Sequence, residues 1–560
     1  MLPKTLPWLA TLAVAACLSS LPSPARAQRF DERFEHWPRQ LKINGAIVAG
    51  GGLSDATLIV DALNSLSVPQ APVVLTDAAD DRRYLAPLLA KGAIAGAASR
   101  IVPIDWTRLD EQLQEQLADC RTLCLRIAKP LSREQAESAR QIAAPLRQFI
   151  QAGGVLACDG FASEWASECI ECEAAAATDR RLPGLGLMLD CVVKAKNNTA
   201  AQSELLSVLA ARPRQVGVAI ADDTVVILQG RQLHALGRGS AAILLPANER
   251  HPPRSQVIQP RRSPRQPPEE YLVDVTQWRR EAMDRDLEPF PPAMPETPHV
   301  PNGTLVIVGG GGMPRGLMEQ IVELAGGKEQ ARMVYIPCAE QEDVGERQQT
   351  VEAWKRMGVR HATFIHTKDR QRANSDPSFY APLQEATGLW FGGGRQWNFS
   401  DSYYGTKTHQ LMKDVLRRGG VIGGSSAGAS IQARYLARAT PIGNLRIMAP
   451  GYERGGLGFI GGVAIDQHFT QRRRQRDMTQ LMSTYPQLLG IGLDEATAII
   501  VQHSHASVVG RGQAFFYNRR MPVPKTGPDY VALSAGSSYD LSGRRVLVDA
   551  VRPLPPLETP

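Results

Sequence analysis

The chain has 560 residues, 43% hydrophobic and 21% charged, with 63 basic against 56 acidic side chains and a net charge of +7. That balance excludes a largely disordered or fibrous protein and is too mild to call for nucleic acid as a partner. At roughly 150 residues per domain, the length predicts about three to four domains.

Residues 1–27 read as an export signal. Lys4 gives the positive start, Leu6 to Leu18 a short apolar run, and Ala25-Arg26-Ala27 a small-x-small cleavage site before Gln28. The expected location is periplasmic or extracellular. Val14-Ala15-Ala16-Cys17 offers a rival, lipid-anchored reading through Cys17. No stretch reaches about 18 apolar residues, so no membrane-spanning segment is expected. Seven cysteines lie beyond the signal, at 120, 124, 158, 169, 172, 191 and 338. Export permits disulfides, and an odd total leaves at least one thiol over. Cys169-Ile170-Glu171-Cys172 has no second ligand pair at suitable spacing, so no metal site is expected.

Twelve prolines fall in residues 252–301, which predicts an extended linker, with room for a short helix in Glu269–Asp286. The expected units are 1–27 signal, 41–247 first α/β unit, 248–300 Pro/Arg-rich linker, 301–548 catalytic unit and 549–560 Pro-rich tail. The two large units align. Asn44–Gly52 matches Asn302–Gly310, Gly153-Gly154-Val155 matches Gly419-Gly420-Val421, and Gly237-Arg238-Gly239 matches Gly510-Arg511-Gly512. Leu185-Gly186 with Leu457-Gly458, and Val216-Gly217 with Leu489-Gly490, keep the same order.

In the second half, strands are predicted at 304–308, 332–337, 361–365, 388–391, 420–423 and 496–501, with helices near 315–325, 346–357 and 405–418. That alternation predicts an α/β fold: an open, mostly parallel sheet with helices on both faces, present as two tandem copies.

Gly424-Ser425-Ser426-Ala427-Gly428 fits the G-x-S-x-G nucleophile elbow, with a strand before it and a helix after. Small residues close the turn and expose the Ser426 hydroxyl, and the Ala427 amide is placed to stabilise an oxyanion. A serine nucleophile needs a base and an orienter. Among six histidines in the second half, His468 follows the strand Gly462–Gln467 at the sheet edge where α/β sites form. Glu495 sits in a similar turn, with Asp494 and Asp466 as rival orienters. Gly392-Gly393-Gly394 follows a strand and offers a second oxyanion amide, taken as that of Gly394. The loop Gly309–Gly312 lacks G-x-G-x-x-G spacing because Pro314 and Arg315 follow, so no nicotinamide or other cofactor is expected. Arg472-Arg473-Arg474-Gln475-Arg476 directly follows His468 and lacks the interleaved aromatics of a single-strand binder. Exposed arginines there suit substrate carboxylates, so Arg474→Ala is expected to leave the melting temperature unchanged while lowering kcat/KM.

Gly424–Gly428, the Gly392-Gly393-Gly394-x-Gln396 loop and Asp466-Gln467-His468-Phe469-x-x-Arg472-x-Arg474 together resemble the cyanophycinase family of serine peptidases, over roughly 301–520. The resemblance implies a fold like class I glutamine amidotransferases and hydrolysis of cyanophycin, a poly-aspartate carrying arginine on each side chain, to β-Asp-Arg dipeptides. It makes Ser426 nucleophile, His468 base and Glu495 orienter, and gives Gln396, Asp466, Gln467, Arg472 and Arg474 to the substrate. The sequence departs from the family pattern at Arg395, Asp477 and Ala496. An isoaspartyl or acidic-peptide dipeptidase, and a catalytically inactive polymer-binding protein, are the competing readings. In the first half Gly160, Lys196 and Asp222 stand where Ser426, His468 and Glu495 would align, and Arg126-Ile127-Ala128 replaces the glycine loop. The first half is therefore expected to be a non-catalytic copy docked on the second as an internal pseudo-dimer.

Overall fold

In the first strand of the second half, Leu305 and Ile307 point to one face of their sheet and Val306 and Val308 to the other. All four are buried, because helices cover both faces, and a strand covered twice reads as a continuous apolar run. The helix Lys407–Arg417 is one such cover. Thr406 caps it by accepting from the His409 amide, and Leu411, Met412, Val415 and Leu416 face the sheet. Each such side chain contributes about 1.5–3 kcal/mol by leaving water.

The computed structural model describes residues 39–550 apart from 91–93, 98, 172–180, 264, 340–343 and 444–445. The export signal, Cys17, Cys172 and the tail from 551 lie outside the described residues. Cys120, Cys124, Cys158, Cys191 and Cys338 are buried free thiols. Among the described residues no helix is long and apolar enough to cross a membrane.

The main sheet of the second half runs His361–Phe364, Arg332–Ile336, Gly388–Phe391, Val421–Ser425, Val300–Val308, Thr497–His503, His505–Gly510, Ser538–Asp540, Arg545–Val548. All six predicted strands are in it. The expectation of a mostly parallel sheet needs correction. Only the first five strands are parallel, and the last four are antiparallel because the chain returns through hairpins such as Gln502↔His505. A second sheet, Ala433–Tyr435, Ile460–Gln467, Leu489–Leu493, Gln513–Asn518, Val531–Ser534, packs beside it.

The first half has an eight-stranded sheet in the order Arg100–Pro103, Val73–Thr76, Thr122–Ile127, Val155–Gly160, Ala46–Gly51, Thr224–Gln229, Gln232–Gly237, Leu272–Asp274. Its first five strands are parallel and the rest antiparallel. A four-stranded sheet, Arg254–Ile258, Ala241–Leu245, Val216–Ile220, Cys191–Lys194, accompanies it.

The segment read as an extended linker differs from that expectation. Arg254–Ile258 pairs with Ala241–Leu245, Leu272–Asp274 pairs with Gln232–His234, and Val275–Arg285 is a helix capped by Asp274. The prolines fall between these elements, where no ladder donor is required. Helix Val275–Arg285 buries Trp278, Arg279, Arg280 and Ala282.

Charged groups join the halves. Arg231 of the first half donates to Asp274 at 2.5 and 2.9 Å and to Asp401 of the second at 2.5 Å. Arg280 pairs with Asp401 at 3.1 Å, and Tyr452 also donates to Asp401. Lys42 pairs with Asp369, and Gln40 donates to the Lys368 carbonyl. Two guanidiniums hold the Asp401 carboxyl below its ordinary pKa against the opposing effect of burial. Asp401→Ala should therefore remove the carboxylate that Arg280 faces and leave Arg231 with Asp274 alone. The expected loss is about 3 kcal/mol, the low end for a buried pair because the Asp401 side chain stays 21% exposed, read as a lowered Tm in calorimetry. An unchanged Tm would show that solvent already neutralises this cluster.

Candidate active site

Ser426 ends the strand Val421–Ser425 and opens the short helix Ala427–Ser430. Its φ of 56° lies in the left-handed region, which bends the chain sharply and lifts the hydroxyl from the sheet edge. The neighbouring glycines are required by close approach. A Cβ on Gly424 would lie 2.3 Å from the Gly428 carbonyl oxygen, and one on Gly428 2.2 Å from that of Phe391.

The Ser426 hydroxyl is 2.9 Å from His468 Nε2, and His468 Nδ1 is 2.6 Å from Glu495 Oε1. The tautomer that satisfies both bonds has Nδ1–H donating to the carboxylate and Nε2 accepting from the serine. The three side chains come from three loops at one edge of the fold. Burial lowers the His468 pKa first; the Glu495 hydrogen bond and charge raise it, and the charges of Arg472 and Arg474 lower it further. The net direction is downward, which favours the neutral imidazole.

The rival orienters are occupied elsewhere. Asp494 accepts from the Thr470 amide and hydroxyl and from the Gln513 amide. Asp466 is fully buried and accepts from Arg438 at 2.8 and 2.9 Å and from Arg474 at 3.0 Å. His409 is also structural, bonded to the Gly405 amide and facing the Leu457 carbonyl.

The Ala427 amide has no acceptor among the described residues. In the facing loop it is Gly393 that lies against the nucleophile, since a Cβ there would be 3.5 Å from Ser426 Cβ. Gly394 next to it has φ 128°, and a Cβ there would collide with the Ala339 carbonyl at 2.3 Å.

The substrate residues inferred from the resemblance divide. Arg472 is exposed, and its amide donates to the His468 carbonyl one turn back. Gln396 is buried and donates to the Ala437 and Arg438 carbonyls. Gln467 is buried and accepts from Arg474 through its carbonyl at 2.6 Å and its side chain at 3.2 Å. Arg474 is 4% exposed, which corrects the expectation of an exposed arginine. Burial pushes its pKa down to about 10. Asp466, Gln467 and Arg474 therefore meet one another as a buried lattice beneath the site, because an internal carboxylate has to be neutralised by cations.

Two features escaped sequence reasoning. Gly310 and Gly311 make room for the catalytic pair: Cβ atoms there would lie 2.4 Å from the His468 ring and 2.3 Å from Glu495 Oε2. The glycine run after the first strand was the available signal. Arg438 is the other. It bridges Asp466 and, at 2.6 Å, Asp477, and no local pattern marks it.

Serine, imidazole and carboxylate stand in hydrogen-bonded series at an α/β sheet edge, an arrangement shared by serine hydrolases. Comparison with known families makes the chain a serine peptidase, since residues 305–509 match the model of peptidase family S51. A cyanophycinase of Geminocystis herdmanii is 28% identical over 200 residues, covering 35% of this chain and 72% of the relative. A cyanophycinase of Synechococcus elongatus is 28% identical over 213 residues, covering 37% of this chain and 64% of the relative. The solved structure of a peptidase from an acI-B1 actinobacterium aligns over 44% of this chain and 98% of its own, at 22% identity and a TM-score of 0.33.

Proposed function

We propose that the protein is an exported serine exopeptidase that hydrolyses cyanophycin to β-Asp-Arg dipeptides. The observation that carries the mechanism is the relay Ser426–His468–Glu495 at 2.9 and 2.6 Å. Ser426 Oγ attacks the scissile carbonyl carbon while His468 Nε2 takes its proton. Glu495 holds the imidazolium. The oxyanion is met by the Ala427 amide and by one from the Gly392–Gly394 loop, assigned to Gly394. His468 returns the proton to the leaving amine, and water then releases the acyl group from Ser426. The substrate class comes from the named relatives.

The first half is a tandem copy that has lost this chemistry. The strand orders support this, since each strand of its main sheet up to Gln232–Gly237 has a counterpart in the same place in the second. Gly160 keeps φ 62° at the nucleophile position, close to the 56° of Ser426, but carries no hydroxyl. The contacts through Arg231 and Asp401 support an internal pseudo-dimer, and a monomer in solution is expected.

An acidic-peptide dipeptidase is the second reading, favoured by exposed Arg395 beside the glycine loop. Incubating the full chain with cyanophycin and weighing the products decides. β-Asp-Arg is expected, and intact polymer with cleaved acidic dipeptides would favour the alternative. Because the His468 pKa is lowered, kcat/KM should rise with pH to a plateau with its half-point below the ordinary value of about 6.5. Arg472→Gln removes a cation and should move that half-point upward. A half-point above 6.5 in the wild type would contradict this.

A further inference from the structure

Beside the triad lies a cavity of about 1190 Å³. Three of its lining residues, Arg395, Arg472 and buried Arg474, come from the loops around Ser426 and His468. Arg395 follows the glycine loop that touches Ser426, and Arg472 stands one turn after His468; Ser426 and His468 themselves lie outside the lining. Part of the lining lies outside the matched peptidase region. It comes from the connecting segment, through Asp284, Arg285 and Phe290. A second cavity of about 750 Å³ shares Arg446, Met448 and Pro450 with the first and is lined further by the connecting segment, including Gln256, Glu269 and Trp278.

Most charges around the first cavity are spent. Asp284 faces Arg454 at 3.6 Å, Asp477 takes Arg438 at 2.6 Å, and Arg285 donates to the Pro246 and Pro252 carbonyls. Glu281 is paired with Arg254, and Glu453 accepts from Tyr435 and Tyr485. Arg395, Arg446 and Arg472 are different. All three are exposed, and none makes a side-chain hydrogen bond or ion pair with a described residue. Arg446 stands where the two cavities meet, and its charge is close enough to disfavour that of Arg254.

We infer that the connecting segment and the stretch Arg446–Pro450 extend the active site into a channel for an extended, carboxylate-bearing polymer, in which Arg395 and Arg446 determine specificity beyond the scissile bond. This rests on reading the domain as a hydrolase of aspartyl polymers. The combined space far exceeds one dipeptide. Uncompensated guanidiniums at its start and its junction can each take a carboxylate in bidentate fashion. A carboxylate polymer is favoured over a phosphate polymer because the channel starts one turn from the histidine of a peptidase site.

The test uses the full chain carrying Ser426→Ala and fluorescein-labelled poly-aspartate in an anisotropy titration. Adding Arg395→Glu and Arg446→Glu should raise Kd at least tenfold, and binding should weaken with salt. Arg395→Gln and Arg446→Gln, each alone, should raise Kd in the same direction if the double reversal fails to fold. An unchanged Kd in these variants, or no binding of poly-aspartate at all, overturns the channel. So does polyphosphate or single-stranded DNA of equal charge competing better than unlabelled poly-aspartate. Binding is read without turnover. Poly-aspartate bound through Arg395 and Arg446 by a chain that leaves cyanophycin intact would sustain the channel and sink the proposed hydrolysis.

Discussion

Ser426→Ala should lower kcat by about five to six orders of magnitude while the far-UV spectrum and Tm stay those of the wild type. The substitution removes one oxygen from a half-buried position whose backbone is set by glycine contacts and by the Ser426 amide bond to Val308, neither of which needs the hydroxyl. His468→Ala should be as severe, and the double variant no worse than either alone, because nucleophile and base act as a unit. Glu495→Gln keeps a hydrogen-bonding side chain but favours the wrong tautomer, so a loss of about 10³- to 10⁴-fold with measurable residual activity is expected. A fluorophosphonate probe should label the wild type at Ser426 and leave Ser426→Ala untouched. Wild-type turnover in Ser426→Ala would remove the serine mechanism altogether, and labelling at another residue would move the nucleophile.

Asp466→Ala should be the most destabilising single change near the site. Asp466 has no exposed surface, and the Arg438 and Arg474 side chains that it neutralises are each 5% exposed. Removing it leaves two buried cations facing each other, and breaking a buried pair costs about 3–5 kcal/mol. Arg474→Ala should lower Tm as well, since it uncovers the Gln467 carbonyl and part of the Asp466 charge. Both variants should lose kcat/KM only as far as His468 loses its seat, because Asp466 and Gln467 lead directly into that residue. Arg474→Ala with wild-type Tm and a tenfold lower kcat/KM would restore the substrate role implied by the resemblance. Arg472→Ala should show the opposite split, with stability unchanged and KM raised, since its side chain is exposed and its backbone bond to His468 survives.

Much of this molecule is written locally. The nucleophile elbow is five consecutive residues with a strand before and a helix after, and strand or helix periodicity in 304–308, 332–337, 388–391 and 405–418 appears as elements within a few residues of the expected bounds. His468 and Glu495 stood out as candidates, polar residues in turns after apolar strands, with Asp494 and Asp466 beside them as rivals. The matching of the two halves was visible because glycine positions at tight turns are constrained by backbone sterics, as at Gly237 and Gly510, both with φ near 120°.

Tertiary structure decided what depends on partners distant in sequence. Glu495 rather than Asp466 or Asp494 reaches the imidazole because the other two carboxylates are claimed by Arg438, Arg474 and Thr470. Arg438 lies 28 residues from Asp466 and 39 from Asp477, so no window of sequence pairs them. The proline-rich segment became strand, helix and cavity wall because sheet edges and the apolar core of the first half were there to receive it. Its own composition, poor in apolar periodicity, carried no record of those surfaces. Sequence by itself marked the elbow and its candidate partners, since short-range geometry builds them; only the folded chain, by setting which charges are buried together, decided which arginines are held against carboxylates and which stay exposed.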